Sequence, residues 1–429
     1  MSVAALITRR RLLRVGGFAS AQLVVQVLGF ASGIALVHVM EPTQYGHYTL
    51  AVSMVGLASV LLDLGLSTAV LAKGGPLHND PGALGGLVAD AFAIQRLLML
   101  LGALVLAPVF GAMFIRQGLA WPEMLALAVL ALGCGAFNVH NAVSMSLVRL
   151  RGDLAMQQRT DVGVNALRAV LVVAAGLIFL DARVAVLLNL AAALAVFVLL
   201  KGYLAKHVDP SPVAAGTHRA GLWAFIRRQA PNSIYYCVLG QISVWLVGLF
   251  GSVERVAEVG ALGRLAALFT VIGAVLGAMV VPYFARASSA REMVSAFVAL
   301  NGFFALLSAV LIAASLVWPY ALLWILGKQY SGLVHELPWM VVASALSAWS
   351  NGLYGVGAAR GWIVPSLLMI PLGIATVALS AFAFDMSSVS GVFMMNSAVA
   401  LVALVLTFGM VYTHLRALVG GPLSTMGIR

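Results

Sequence analysis

A chain of 429 residues that is 62% hydrophobic and only 9% charged holds more apolar side chain than a soluble core of that length can bury. That excludes a soluble globular protein and leaves an all-α polytopic membrane protein, in which each spanning segment satisfies its own backbone hydrogen bonds. The formal net charge of +11 would suit nucleic acid in a soluble domain, but the basic residues fall in short segments between apolar runs. That pattern reports membrane topology, and no nucleic-acid partner is expected.

A helical span needs about 20 apolar residues. The chain opens with Thr8-Arg9-Arg10-Arg11-Leu12-Leu13-Arg14, which has the form of a secretory or twin-arginine signal. No soluble domain follows it, so it reads as a cytoplasmic anchor for the first span. Helices are predicted near 15–39, 46–72, 86–114, 122–148, 160–180 and 183–204. A polar separator then runs from Lys201 to Trp223, with Lys206, Asp209, Pro210, Pro212, Gly216, His218 and Arg219. Further helices are predicted near 229–251, 257–283, 294–318, 334–357, 362–384 and 390–414. The expected architecture is about twelve spans in two six-helix bundles, residues 1–204 and 229–429, joined by a cytoplasmic linker at 205–228.

Topology follows from the basic residues. With the N-terminus inside, the inner segments hold 18 of the 25 Lys and Arg, among them Lys73, Arg149, Arg151, Lys201, Arg227, Arg228 and Arg360. The outer segments hold four, Arg116, Arg183, Arg255 and Lys328. Both termini are therefore expected in the cytoplasm. The remaining three, Arg96, Arg168 and Arg264, lie within predicted spans.

The first hairpin, Ala35 to Gly75, carries the most distinctive local pattern. An apolar helix ends at Met40, Glu41-Pro42-Thr43-Gln44-Tyr45-Gly46 turns the chain, and Asp63-Leu64-Gly65-Leu66-Ser67 marks a break in the second helix. Leu36-Val37 followed by Tyr45-Gly46-His47-Tyr48 has an echo in Leu246-Val247 followed by Val259-Gly260-Ala261-Leu262, at the same place in the second group of six. Such an echo fits a transporter built from two repeats.

These elements resemble the polysaccharide flippases of the Wzx type, in the superfamily that includes multidrug exporters of the MATE class. The resemblance extends to Pro319-Tyr320 through Gly327-Lys328-Gln329-Tyr330, to Gly263-Arg264-Leu265-Ala266 and to the closing Val281-Pro282-Tyr283 of the eighth span. One departure is the second-half turn, Ser252 to Glu258, which lacks the aromatic-Gly pair. The resemblance implies a flippase of the bacterial inner membrane that carries undecaprenyl-pyrophosphate-linked oligosaccharide by alternating access. It also implies membrane lipid as surroundings, and a polysaccharide polymerase and co-polymerase as partners. The alternative on the same architecture is an ion-coupled multidrug exporter of the MATE type. A membrane-embedded glycan polymerase or glycosyltransferase would need a sizeable outer catalytic loop, and the outer loops are short.

No enzyme is expected: the chain has no phosphate-binding Gly-x-x-x-x-Gly-Lys-Ser/Thr loop, no His-Glu-x-x-His and no Gly-x-Ser-x-Gly elbow. Cys134 and Cys237 sit in apolar runs and read as packing residues, and neither a metal nor a cofactor is expected.

Charges inside a bilayer cost about 2.5 to 3.5 kcal/mol on insertion scales and usually face a cavity or a partner. Arg96, Arg168 and Arg264 are therefore candidate substrate contacts, suited to a pyrophosphate because guanidinium is always charged and presents forked donors. The competing reading is structural, and for Arg168 it is a local network with Asp161 and Asn165 at i, i+4 and i+7. The first span carries Gln22, Gln26, Gly29 and Gly33 on one stripe, and the seventh carries Asn232, Tyr236, Gly240 and Ser243 beside Gln241. Gln22, Gln26, Asn232 and Gln241 are candidates for sugar hydroxyls, and the glycines also suit a packing seam. The acidic residues within or beside predicted spans are Asp63, Asp90 and Asp161, and a carboxylate that takes up a proton could couple transport to the gradient. Asp63 and Asp90 are the candidates for ion coupling, with capping of the Leu64-Gly65 break and an interfacial charge as their alternatives. His140 with Asn138 and Asn141 makes a polar patch in the fourth span. Tyr45, Trp121, Trp318, Tyr320 and Trp324 read as an interfacial aromatic belt.

Overall fold

In a computed structural model that describes residues 23–77, 80–207, 216–287 and 289–420, the apolar runs form helices, and no strand occurs among the described residues. The helices are α1 (Leu23–Val39), α2 (Pro42–Asp63), α3 (Leu66–Gly74), α4 (Pro81–Arg116), α5 (Trp121–Leu150), α6 (Leu154–Gly176) and α7 (Ala182–His207). They continue with α8 (Arg219–Phe250), α9 (Val253–Arg286), α10 (Ala290–Val317), α11 (Pro319–Leu323), α12 (Leu337–Ala358), α13 (Ser366–Ala383) and α14 (Val389–Gly420). Eight of them, α2, α4, α5, α7, α8, α10, α13 and α14, are long and apolar enough to cross a membrane. The protein is an all-α, multi-pass membrane protein.

Local chemistry sets the helix ends. Proline occupies the first turn of α2, α4, α5 and α12, where its missing N–H costs nothing. Asp80 caps α4 by accepting from the Gly82 and Ala83 amides, each at 3.0 Å, and Asp153 caps α6 through the Met156 amide at 3.0 Å. The predicted second span is split in two. Leu64 and Gly65 both adopt left-handed backbone, with φ of 44° and 87°, and the helix restarts at Leu66. Asp63 bridges the break, accepting from Gly65 N at 3.1 Å, Ser67 N at 3.0 Å and Ser67 Oγ at 2.9 Å.

α8 starts at Arg219, well before the predicted 229, because its first turns bury Leu222 and Ile226 against Leu66, Leu84 and Leu87. Charge at Arg219, Arg227 and Arg228 hides this segment from a hydropathy reading.

By contacts the chain divides into two compact units, residues 1–260 and 261–429, and the division falls inside α9. In the first unit α5 is central, packed against α2, α3, α4, α6 and α7, while α8 packs against α2, α3 and α4. α1 lies along α6, where Val39 meets Gly176 and Gly29 faces Asn165. In the second unit α12 runs along α14, flanked by α10, and α13 packs on α14.

Candidate functional site

A cavity of about 500 Å³ opens in the first unit among α2, α5, α6 and α7. Three helices supply its polar lining, at positions set by helical periodicity. α6 contributes Thr160, Asp161, Asn165 and Arg168, the face on which i, i+4 and i+7 coincide. α5 contributes Asn138 and Asn141, with Arg149 two turns further along, and α7 contributes Asn189 among Ala192, Ala193 and Val196. α2 closes the side with Val52 and Val55. Asp161 and Arg168 are separated by about 10 Å along the α6 axis, so the lining extends well into the helix bundle.

The hydrogen bonds leave specific capacity unused. Arg168 Nη2 donates to the hydroxyl of the fully buried Tyr48 at 3.1 Å, which fixes the guanidinium against α2. Its Nε is buried with no hydrogen-bond partner among the described residues, and no carboxylate there lies within ion-pair distance of it. Asn165 Nδ2 donates to the Asp161 backbone carbonyl at 2.8 Å, and Asp161 and Arg168 form no ion pair. Asn141 Nδ2 donates to the Ala193 carbonyl at 2.9 Å and leaves its Oδ1 buried and unpartnered. Asn138 Nδ2 donates to Ser59 Oγ at 3.3 Å. A fixed cation with free donors, surrounded by amide groups that both donate and accept, is equipped for an oxyanion or a hydroxyl-rich ligand. No group of three metal-ligating side chains occurs among the described residues.

The other predicted site residues are dispersed. Arg96 is exposed on α4, its Nε donating to the Phe92 carbonyl of its own helix at 3.3 Å. Arg264 is half-buried on α9, in the second unit. Gln26 is half-buried on α1, and Gln22 lies outside the described residues. Asn232 is half-buried on α8, and Gln241 lies over Gly56 of α2. Asp63 makes the three capping bonds described above. Asp90 is fully buried and accepts from Gly216 N at 2.7 Å, His218 N at 3.0 Å and Arg219 Nε at 2.9 Å, tying the start of α8 to α4.

His140 does not line the cavity. It lies between Phe92, stacked at 4.5 Å, and Phe197 at 4.9 Å. Tyr45 departs from the belt expected of it, being fully buried beside Tyr48, whereas Trp121, Trp318, Tyr320 and Trp324 are exposed. Cys134 and Cys237 are free thiols. Two residues of the site escaped the sequence reading: Tyr48, which holds Arg168 and stood only as part of a turn signature, and Asn189, which lines the cavity as a lone amide in an apolar run.

No protein-family model matches the sequence, and no curated protein matches it. Solved structures do. Over 93% of its length the chain aligns with 99% of an inward-facing multidrug resistance MATE family transporter of the MOP superfamily, at a TM-score of 0.69 and 15% identity. The fold is MATE-like. The lipid II flippase MurJ in its inward closed conformation shares this MATE-like fold, with a TM-score of 0.71 and 10% identity over 92% of this chain and 87% of that one. So does a eukaryotic MATE transporter, at 0.60 and 17% identity over 93% and 96%.

Proposed function

We propose that this protein is a Wzx-type flippase that moves an undecaprenyl-pyrophosphate-linked oligosaccharide repeat unit across the bacterial inner membrane for polysaccharide export. The observation that carries the reading is the Arg168 guanidinium, held in a cavity with no carboxylate partner among the described residues. A fixed intramembrane cation with no carboxylate in ion-pair distance favours an anionic ligand over a cationic one. The sharing of a MATE-like fold with a structure named as a lipid II flippase supports the reading further.

In this proposal Arg168 takes a phosphate oxygen, and Asn138, Asn141, Asn165 and Asn189 hydrogen-bond sugar hydroxyls. Arg96, Arg264, Gln22, Gln26, Asn232 and Gln241 are further contacts along the path. The polyprenyl tail stays in lipid while two six-helix bundles, joined by a cytoplasmic linker and with both termini inside, expose the substrate alternately. The protein performs no covalent chemistry, and a polymerase and co-polymerase take the unit on the outer side. Asp63 and Asp90 were candidates for ion coupling, and their carboxylates are engaged by capping and by the start of α8. Asp161, which lines the cavity, is the carboxylate better placed for coupling.

Asp161 also favours a second reading, an ion-coupled exporter of cationic drugs, and the experiment separates the two. In a strain deleted for the gene, undecaprenyl-linked repeat units accumulate. Wild type clears them, and Arg168→Gln leaves them accumulated. An unchanged pool combined with heightened sensitivity to cationic drugs would make the exporter reading correct instead.

A further inference from the structure

α12 is 22 residues long, enough to span a bilayer, and carries no charged residue, yet it is not among the helices apolar enough to cross one. Serines, an asparagine and a tyrosine hold its hydropathy down, and Ser347, Asn351 and Tyr354 recur at i, i+4 and i+7 on one face. α10 and α14 pack against α12 and leave this face partly uncovered, with Asn351 and Tyr354 exposed and Ser347 half-buried. No side-chain hydrogen bond joins any of the three to another described residue. At a rise of about 1.5 Å per residue, Asn351 lies about 10 Å and Ser347 about 16 Å from the end of the helix at Ala358. An uncovered amide at that depth faces water or a ligand, because lipid offers it no hydrogen bond.

α12 repeats the register of α5. Both end in a Schellman turn whose glycine, Gly152 or Gly361, adopts left-handed backbone with φ of 67° or 73°. Gly152 N donates to the Arg149 carbonyl at 3.0 Å and Asp153 N to that of Val148 at 3.2 Å. Gly361 N donates to the Ala358 carbonyl at 3.1 Å and Trp362 N to that of Gly357 at 2.9 Å. Matching the two ends residue for residue puts Trp349 at the place of His140. Both rings stack nearly parallel on a phenylalanine of another long helix, Trp349 at 6.4 Å from Phe304 of α10 and His140 at 4.5 Å from Phe92 of α4. The same match puts Ser347, Asn351 and Tyr354 at the places of Asn138, Ala142 and Met145, which line the Arg168 cavity. α14 agrees with α7 in the same way: Asn396 stands as far beyond the capping Ser388 as the cavity-lining Asn189 does beyond the capping Asp181.

The two faces differ in charge. α6 brings Asp161 and Arg168 to the first, whereas α13, which follows α12 as α6 follows α5, contains no charged residue. A hydroxyl, an amide and a phenol on an uncharged helix offer donors and acceptors to a neutral, hydroxyl-rich ligand, and α12 and α13 supply no ion to hold a phosphate or a cationic drug. We propose that the Ser347, Asn351 and Tyr354 face of α12 is a second, uncharged carbohydrate contact for the transported lipid-linked oligosaccharide. The inference rests on the flippase reading above and deepens it: Arg168 in the first unit takes the phosphate, and α12 in the second takes sugar hydroxyls only.

The test uses purified full-length protein in detergent and two probes, the lipid-linked oligosaccharide extracted from the deletion strain and sugar-free undecaprenyl pyrophosphate, with affinity read by microscale thermophoresis. Asn351→Leu with Tyr354→Phe is expected to lower affinity for the oligosaccharide-bearing lipid about tenfold. Affinity for undecaprenyl pyrophosphate is expected to stay unchanged, which also shows that the variant is folded. Asn351→Gln, which keeps the amide, is expected to retain most of the oligosaccharide affinity, and Arg168→Gln to weaken binding of both probes. Undiminished affinity of the α12 pair for the oligosaccharide-bearing lipid, or an equal loss on both probes, overturns the α12 contact and leaves the flippase reading standing. If the deletion strain yields no lipid-linked oligosaccharide, or wild type binds neither probe, the flippase reading falls and this contact with it.

Discussion

The backbone carbonyl of Val253, at the start of α9, occupies the space that a side chain at Gly46 of α2 would need. Gly260 repeats the relationship in the other direction, since a Cβ there would collide with Thr49. The two helices cross at a separation that only glycine permits, and the crossing uses the glycine of each of the echoing Tyr45-Gly46 and Val259-Gly260 pairs, both within the first unit. The predicted consequence is that Gly46→Ala forces the helices apart and destabilises the protein by about 1 to 3 kcal/mol. Gly75→Ala, where an added Cβ would meet nothing within 4 Å and φ is helical, serves as the control and is expected to leave thermal unfolding in detergent unchanged.

Asp90 and Arg219 form an asymmetric pair. The carboxylate is fully buried and serves two backbone amides as well, whereas the Arg219 side chain is 55% exposed. Asp90→Ala therefore strands the Gly216 and His218 amides along with the guanidinium, a loss of about 3 kcal/mol. Arg219→Ala removes a contact that water partly replaces and is expected to cost about 1 kcal/mol. Melting curves of the two variants should rank in that order, and equal shifts would show that the amide contacts contribute nothing.

The break at Leu64 and Gly65 depends on Asp63. Replacing Asp63 with Ala removes three capping bonds at once, for an expected loss of about 1 to 2 kcal/mol. Asp63→Asn keeps an acceptor for the amides and is expected to lose less. Hydrogen exchange across Leu66 to Ala69 reads the effect directly, since these first-turn amides become less protected when the cap is gone.

Tyr48→Phe isolates the hydrogen bond that Arg168 Nη2 donates to the Tyr48 hydroxyl. Without the hydroxyl, the guanidinium is less firmly positioned, and on the proposed function the apparent affinity for a polyprenyl-pyrophosphate-linked oligosaccharide in a reconstituted flipping assay is expected to fall about fivefold. Arg168→Lys keeps the charge but gives up the planar fork, and is expected to fall further than Tyr48→Phe.

Much of this architecture can be read from residues alone, and the reasons are specific. The helices are visible because lipid demands long apolar runs, and the kink is visible because Gly65 follows Asp63 where a cap is needed. Asp161, Asn165 and Arg168 are visible as one face because helical period alone aligns them. That this face meets Asn138 and Asn141 across a cavity is not visible, because periodicity within a helix does not say which helices are neighbours. His140 shows the same limit: it shares a helix with both asparagines and points instead into a stack with Phe92 and Phe197. Arg96 likewise has an intramembrane position in sequence, and only the structure shows it exposed and bonded back to its own helix.

The first unit runs to residue 260, so its own core includes a helix made late. When the ribosome has released α7, the sockets for Leu222 and Ile226 are still empty and Asp90 still lacks the amides and guanidinium it will hold. The unit is therefore finished only after synthesis has passed well beyond its sixth long helix. A nascent chain stalled before α8 emerges leaves Asp90 without these partners and the apolar socket open, and it should be recognised and degraded faster than one stalled after α9 begins.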